Sequence, residues 1–247
     1  MDNSSSLRRD WEELANLDPF WAILSDKSKQ FERWEADEFF ATGSSEIAAV
    51  MEESRRLGFP LNYERALDFG CGVGRLTRSL RAYFPESIGV DISPTMLEKA
   101  RILSPDCQFQ LLGERQLEIF PDKCFDLIYS NIVLQHQPSF SAVAHHISEF
   151  VRVLKRGGLL VFQLPHSIPF RYRLQPRRRL YHALHAIGFD AQLLYNKLHL
   201  NPITMLAVPE KQVRRILTRS GAKVLHVRHD RNGGPDIESR TYFATRS

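Results

Sequence analysis

Leu67-Asp68-Phe69-Gly70-Cys71-Gly72-Val73-Gly74-Arg75 sets three glycines at alternate positions between an apolar run and a helix-like run. Glycine is required where the backbone turns with positive φ, or where a ligand lies so close that a Cβ would collide, so the ligand is expected over this turn. The spacing is G-x-G-x-G with Arg75 next, whereas the dinucleotide fingerprint is G-x-G-x-x-G/A; no Gly-Lys-Ser/Thr follows to make a phosphate loop. A nucleoside without a pyrophosphate fits this turn better than a dinucleotide. Asp91 closes the next strand-like run, Ser87-Ile88-Gly89-Val90-Asp91, where a carboxylate can accept hydrogen bonds from both hydroxyls of a ribose.

Outward from this turn the chain alternates strand-like and helix-like runs. Residues 65–69, 87–91, 107–112, 125–130 and 159–164 read as strands, the last almost wholly apolar, as a strand covered on both faces should be. Helices are expected over 74–84, from Pro94 through Leu103 behind Ser93, and over 139–154, the last closing in Lys155-Arg156-Gly157-Gly158. Two further strands are expected at 223–228 and 240–245, after a helix over 210–220. Repeated units of this kind favour a doubly wound, largely parallel sheet. Before the first strand, Trp11, Leu14, Leu17, Phe31, Trp34, Phe39 and Phe40 recur at helical spacing, and Thr42-Gly43-Ser44-Ser45-Glu46 reads as an interruption that caps a separate helix over 47–57. Residues 165–207 break the rhythm, are too long for an ordinary connection and should hold helices of their own.

The 247 residues, 43% apolar and 25% charged, suit one folded domain with accessory segments and exclude disorder as the main state. The net charge of +4 conceals a division: residues 1–150 carry 15 basic and 24 acidic side chains, residues 151–247 carry 18 and 5. An anionic partner is therefore expected on the C-terminal part. Cys71, Cys107 and Cys124 form no C-x-x-C pair, so neither a disulfide framework nor a metal site is expected. No segment has the length and apolarity of a membrane span or a secretory leader, and the protein is read as cytoplasmic with no membrane partner.

Asp68-x-Gly70-x-Gly72-x-Gly74, Gly89-Val90-Asp91-Ile92-Ser93, Phe125-Asp126-Leu127-Ile128 and Leu154-Lys155-Arg156-Gly157-Gly158 together resemble the motifs of the class I S-adenosylmethionine-dependent methyltransferases. The resemblance spans roughly 60–165 and resumes over 208–246. It implies a Rossmann-like, seven-stranded mixed α/β sheet with its last strand antiparallel, in agreement with the seven strand-like runs. It further implies a helical cap over residues 1–60 and a methyltransferase domain over 61–247, within which 165–207 is a basic helical insertion. The implied cofactor is S-adenosyl-L-methionine. Carried onto this chain, the motifs place Gly70, Cys71, Gly72 and Gly74 beneath the cofactor with Asp68 fixing the loop. Asp91 would hold the ribose, Ile92 and Met96 would pack near the adenine, Glu114 would meet its amino group, and Asn131 would meet the methionine moiety or line the acceptor pocket.

Methyl transfer is an in-line displacement at a sulfonium carbon, so positioning and exclusion of water dominate and a general base is optional. His136, just after the fourth strand, is the candidate base for a hydroxyl acceptor, against a plain hydrogen-bonding role; His145 and His146 read as one surface and one packed histidine. His166, Arg171 and Arg173 are candidates for contact with the acceptor. A small, possibly anionic metabolite is favoured as acceptor. The alternatives are an RNA or protein substrate gripped by the basic 171–179 segment, or a cofactor-binding regulator without transferase activity. A nicotinamide dehydrogenase is disfavoured by the glycine spacing.

Overall fold

The computed structural model describes residues 3–113, 116–234 and 236–246. Its seven strands are β1 (Arg65–Phe69), β2 (Glu86–Asp91), β3 (Gln108–Leu111), β4 (Phe125–Ser130), β5 (Leu154–Ser167), β6 (Ala222–Asp230) and β7 (Glu238–Arg246), ordered β3-β2-β1-β4-β5-β7-β6. The pairs from β3 to β5 are parallel, and β7 runs antiparallel to both β5 and β6. The expected sheet is thus formed, its final strand reversed.

Period-two alternation sorts the strand side chains between two covered faces. On one face Leu67, Phe69, Ile128, Leu160 and Phe162 pack beneath α6 (Phe140–Val153) and α10 (Glu210–Arg219) through Phe150, Val213 and Leu217. On the other, Ala66, Leu127, Tyr129 and Val161 meet α3 (Ala36–Leu57) and α4 (Arg75–Leu80) through Ile47, Met51, Leu76 and Leu80. The helices α1 (Asn3–Leu17) and α2 (Pro19–Ile23) join α3 in a third cluster, where Leu14, Ala22 and Phe39 close on Val73 of the glycine turn and Met96 of α5 (Pro94–Leu103). Ser93 caps α5 as expected, its hydroxyl accepting the Met96 N–H at 3.1 Å. The 165–207 segment holds α7 (Phe170–Leu174), α8 (Pro176–Ala186) and α9 (Ala191–Asn196).

Three expected boundaries are corrected. The Thr42–Glu46 stretch does not interrupt a helix, because α3 runs through it unbroken. The Thr42 and Ser45 hydroxyls bond back to Phe39 O and Ala41 O, and Gly43 lets α4 approach so closely that a Cβ there would lie 2.6 Å from Arg75 O. The helix after the glycine turn ends at Leu80, not Phe84, and Phe84 is buried in the turn that follows. Lys155 to Gly158 belong to β5, whose pairing is shifted there, and are not the cap of α6. The last carbonyls of α6 are capped from the opposite end of the chain, where one Arg246 nitrogen (Nη1) reaches Val151 O at 2.8 Å and Arg152 O at 2.6 Å.

Candidate active site

A cavity of about 320 Å³ opens at the carboxyl ends of β1, β2 and β4, under α1 and α2. Its floor is the glycine turn. Phe69 ends β1, and the Gly70 and Cys71 N–H groups both donate to Val90 O, at 2.8 and 3.0 Å, which folds the turn back over β2. Gly70 has φ +77°, and a Cβ on it would fall 2.4 Å from a Val133 methyl, so conformation and space both demand glycine. Asp91 reaches this floor from the end of β2, accepting the Gly72 N–H on Oδ2 and the Ser93 N–H on Oδ1, both at 2.9 Å. A carboxylate offers roughly four acceptor positions, so these two bonds leave capacity for a diol. Burial holds the Asp91 carboxyl above its ordinary range, and the two backbone N–H groups oppose that shift.

The opposite wall is set by a residue the sequence reading passed over. Glu46, on α3, accepts Tyr129 Oη–H and Asn131 Nδ2–H on one oxygen, both at 2.7 Å, and pairs with Arg75 at 2.8 Å through the other. Arg75 is buried, its side chain 3% exposed, and also reaches Thr42 Oγ1. The network fixes the Asn131 amide by its nitrogen and leaves its buried carbonyl oxygen, Oδ1, without a partner. That orphan acceptor, on a residue lining the cavity, suits a ligand ammonium group. The only sequence signal for Glu46 was an acid inside a polar stretch that read as a cap. Its use depends on α3 continuing through that stretch.

Next along the same wall, Ile132 sits at φ +58°, a left-handed conformation rarely adopted by a β-branched residue, and its N–H donates to Gln163 Oε1 of β5 at 3.3 Å. His136 also lines the cavity, beside Trp11 of α1, whose ring centre lies 5.3 Å away. Its Nδ1 lies 2.6 Å from Thr204 O, and its Nε2 lies 3.3 Å from Gln135 Nε2. That pairing suits a neutral ring donating from Nδ1 and accepting at Nε2, and burial pushes its pKa down to about 4. Of the pair read as one surface and one packed histidine, His146 is the buried one and contributes to the cavity wall as well. Its Nε2 lies 3.0 Å from Gln137 Oε1, and burial lowers its pKa to about 3.

Of the residues expected at the site, Gly70, Gly72, Asp91, Ile92, Met96, Asn131 and His136 line the cavity. Asp68 lies behind the floor, where Oδ2 accepts the Thr77 hydroxyl at 2.6 Å and burial raises its pKa to about 7. Cys71 packs its sulfur against Gly89 of β2, and Gly74 faces Phe109 of β3; the turn points these two inward to the sheet and away from the cavity. His166 accepts the Glu210 N–H at 3.0 Å and so caps α10. Arg173 is exposed on α7, away from the cavity wall. Glu114 and the side chain of Arg171 lie outside the described residues. Among the described cavity-lining residues Arg8 is the only lysine or arginine, and its Nε donates to Ile92 O at 2.9 Å. No cluster that could hold a metal ion occurs among the described residues.

The family model for the methyltransferase domain matches residues 67–162. A trans-aconitate 2-methyltransferase of an Enterobacter species is 39% identical over 104 residues, covering 41% of this chain and 39% of that protein. The protein of the same description from Methylobacterium radiotolerans is 36% identical over 132 residues, 52% of this chain and 47% of that protein. The match thus spans less than half the length of either curated relative. Among solved structures, magnesium protoporphyrin IX methyltransferase from Synechocystis with bound SAH aligns with TM-score 0.64 and 19% identity over 100% of both chains. A S-adenosylmethionine-dependent methyltransferase from Clostridium acetobutylicum aligns with TM-score 0.60 and 15% identity, over 92% of this chain and 99% of that one. Identities this low carry the fold alone.

Proposed function

We propose that this chain, whose residues 67–162 match the methyltransferase-domain model, is an S-adenosylmethionine-dependent methyltransferase that methylates a carboxylate of a small organic acid. The observation that carries this reading is the state of His136. The imidazole on the Asn131 wall has both nitrogens engaged and a pKa pushed down to about 4, which makes it a poor base at neutral pH. An acceptor that arrives already ionised needs no base. A carboxylate oxygen meets that condition, and the trans-aconitate 2-methyltransferases that the chain resembles are named for an acid substrate.

The residues present suit the cofactor. Asp91 would take the ribose hydroxyls, the unpartnered Asn131 carbonyl the amino-acid ammonium, and Ile92 and Met96 the adenine faces. When bound, S-adenosylmethionine supplies an electrophilic methyl group on a cationic sulfur. The chain's own part is to hold the acceptor in line with that carbon and to keep water out, which α1 and α2 do with Trp11, Ala22 and Ile23. Arg8 supplies the cation that a bound anion requires, its Nε spent on Ile92 O and no partner among the described residues on its Nη groups. His136 holds Thr204 and the start of the β4–α6 connection in place.

The test is incubation with methyl-labelled S-adenosylmethionine and separate panels of di- and tricarboxylic acids, phenols and amines. The expected product is a methyl ester, whose label mild base releases. Base-stable label, or no transfer to any acid by a chain shown calorimetrically to bind the cofactor, would overturn the reading. In the same assay Asp91→Ala is expected to weaken cofactor binding on the order of 100-fold, from two lost hydrogen bonds to a charged group.

A further inference from the structure

The α7–α9 segment presents to solvent what most helices hide. The inner side of α8 is tied to α1 by Arg178, 3.1 Å from Asp10, while Tyr181 is buried and Tyr195 of α9 bonds Asp18 at 3.0 Å. The outer side of α8 carries Leu180, Ala183 and its C-cap residue Ile187, at the i, i+3, i+7 spacing of one helix stripe. Leu180 is 49% and Ile187 72% exposed, and exposed Arg177 and Arg179 border the stripe. Phe170, Leu193 and Leu198 are further exposed apolar side chains of the 165–207 segment, with Phe170 70% exposed.

We propose that this face docks on an anionic membrane surface, with Leu180 and Ile187 among the outer acyl segments and Arg177 and Arg179 at the head groups. Charge selects the partner: residues 165–207 carry six Lys and Arg against a single acid, Asp190. Shape selects a membrane over a folded protein. Leu180 and Ile187 stand outward on one stripe of α8 and line neither the active-site cavity nor the cleft beside the β6–β7 turn, so they suit a planar, deformable surface. Arginines beside such a stripe can keep their guanidinium groups in water while their stems lie on apolar surface. No helix among the described residues is long and apolar enough to cross a membrane, so the contact is peripheral. This proposal departs from the sequence expectation of no membrane partner, which rested on the lack of a span. The position also has a consequence for the site, since α8 is pinned to α1, the helix that supplies Arg8 and Trp11 to the cavity.

The test is co-sedimentation of the full chain with phosphatidylcholine vesicles, with and without phosphatidylglycerol. Binding is expected only with the anionic lipid and should fall as salt rises. Leu180→Glu with Ile187→Glu, and separately Arg177→Glu with Arg179→Glu, should each lower vesicle binding about tenfold or more. Both pairs should leave the melting temperature and calorimetric cofactor affinity unchanged. The proposal is overturned if neutral and anionic vesicles bind alike, if neither binds, or if the variants bind as the parent does. It is equally overturned if sedimentation equilibrium finds a dimer that Leu180→Glu with Ile187→Glu dissociates, which would make a second copy the occupant. Single-stranded RNA that binds the parent more tightly than the vesicles and displaces them would make it a nucleic-acid surface instead.

Discussion

The cavity wall and the outer face of α8 treat charge in opposite ways. Behind the wall, Arg75 is buried with Glu46 as its partner, and that carboxylate also orders Tyr129 and Asn131. On α8, Arg177 and Arg179 stand in solvent beside exposed Leu180 and Ile187. A buried charge must be paired, so its position is dictated by neighbours and a single loss propagates; an exposed charge constrains nothing in the fold. The net charge that pointed to the C-terminal part as the anion-binding region therefore described a surface. The cation in the cavity, Arg8, comes from the acidic N-terminal part.

The largest effect expected from this contrast follows removal of the Glu46 carboxylate. Glu46→Ala leaves Arg75 buried without its partner and should destabilise the chain by about 3–5 kcal/mol in urea denaturation. Cofactor affinity should fall with it, because Asn131 loses its tether. Stability within about 0.5 kcal/mol of the parent would break the comparison, and α3 would then be a passive cover. Next in size is Gly70→Ala, which combines a left-handed backbone with a Cβ placed 2.4 Å from Val133. Each cost is about 1–3 kcal/mol. Adding Val133→Ala should restore the steric part and leave the conformational one, which separates the two causes.

These two positions also mark where the sequence was legible. Gly70 could be read because no other residue tolerates that turn, and Asp91 because it ends the second strand beside that turn. The sheet could be read from strands whose two faces are both covered and which are therefore apolar throughout. Glu46 could not be read, because its role depends on Gly43 lying inside a continuous helix against Arg75, a tertiary fact that local turn chemistry contradicts. The same holds for the cap of α6, where Lys155-Arg156-Gly157-Gly158 carries the local signal of a helix end but Arg246, about 90 residues on, makes the bonds. His166, expected just past the fifth strand, lies within β5, and nothing local announced that α10 would begin beside it.

A smaller effect, read in pH, probes the region behind the glycine turn. The Asp68 carboxyl has a pKa of about 7 in the folded chain, against an ordinary 3.8, with burial as the leading cause. Between those values the folded state binds the extra proton, so this group adds stability as pH falls from 7 towards 4 and costs stability above 7. Asp68→Asn keeps an acceptor for Thr77 and removes the titration. Relative to the parent, the variant should be most favoured at pH 8, and its advantage should shrink by up to about 1.4 kcal/mol per pH unit on acidification. A difference that does not vary with pH would mean that Asp68 stays ionised throughout, held by Arg75.

The smallest effect is the most direct test of how the two regions divide the work. Arg173 is exposed on α7 and absent from the cavity wall, whereas Arg8 lies on it. If the acceptor is held inside the cavity, Arg173→Ala should change stability by less than about 0.5 kcal/mol and leave kcat/KM within about twofold. Arg8→Ala should raise KM for an acidic acceptor on the order of tenfold, as expected for one charge-assisted hydrogen bond. The two variants measured on one acid decide the matter by their order. Were Arg173 the costlier loss, α7 would have to fold down over the cavity mouth during turnover, and the basic insertion would meet the acceptor after all.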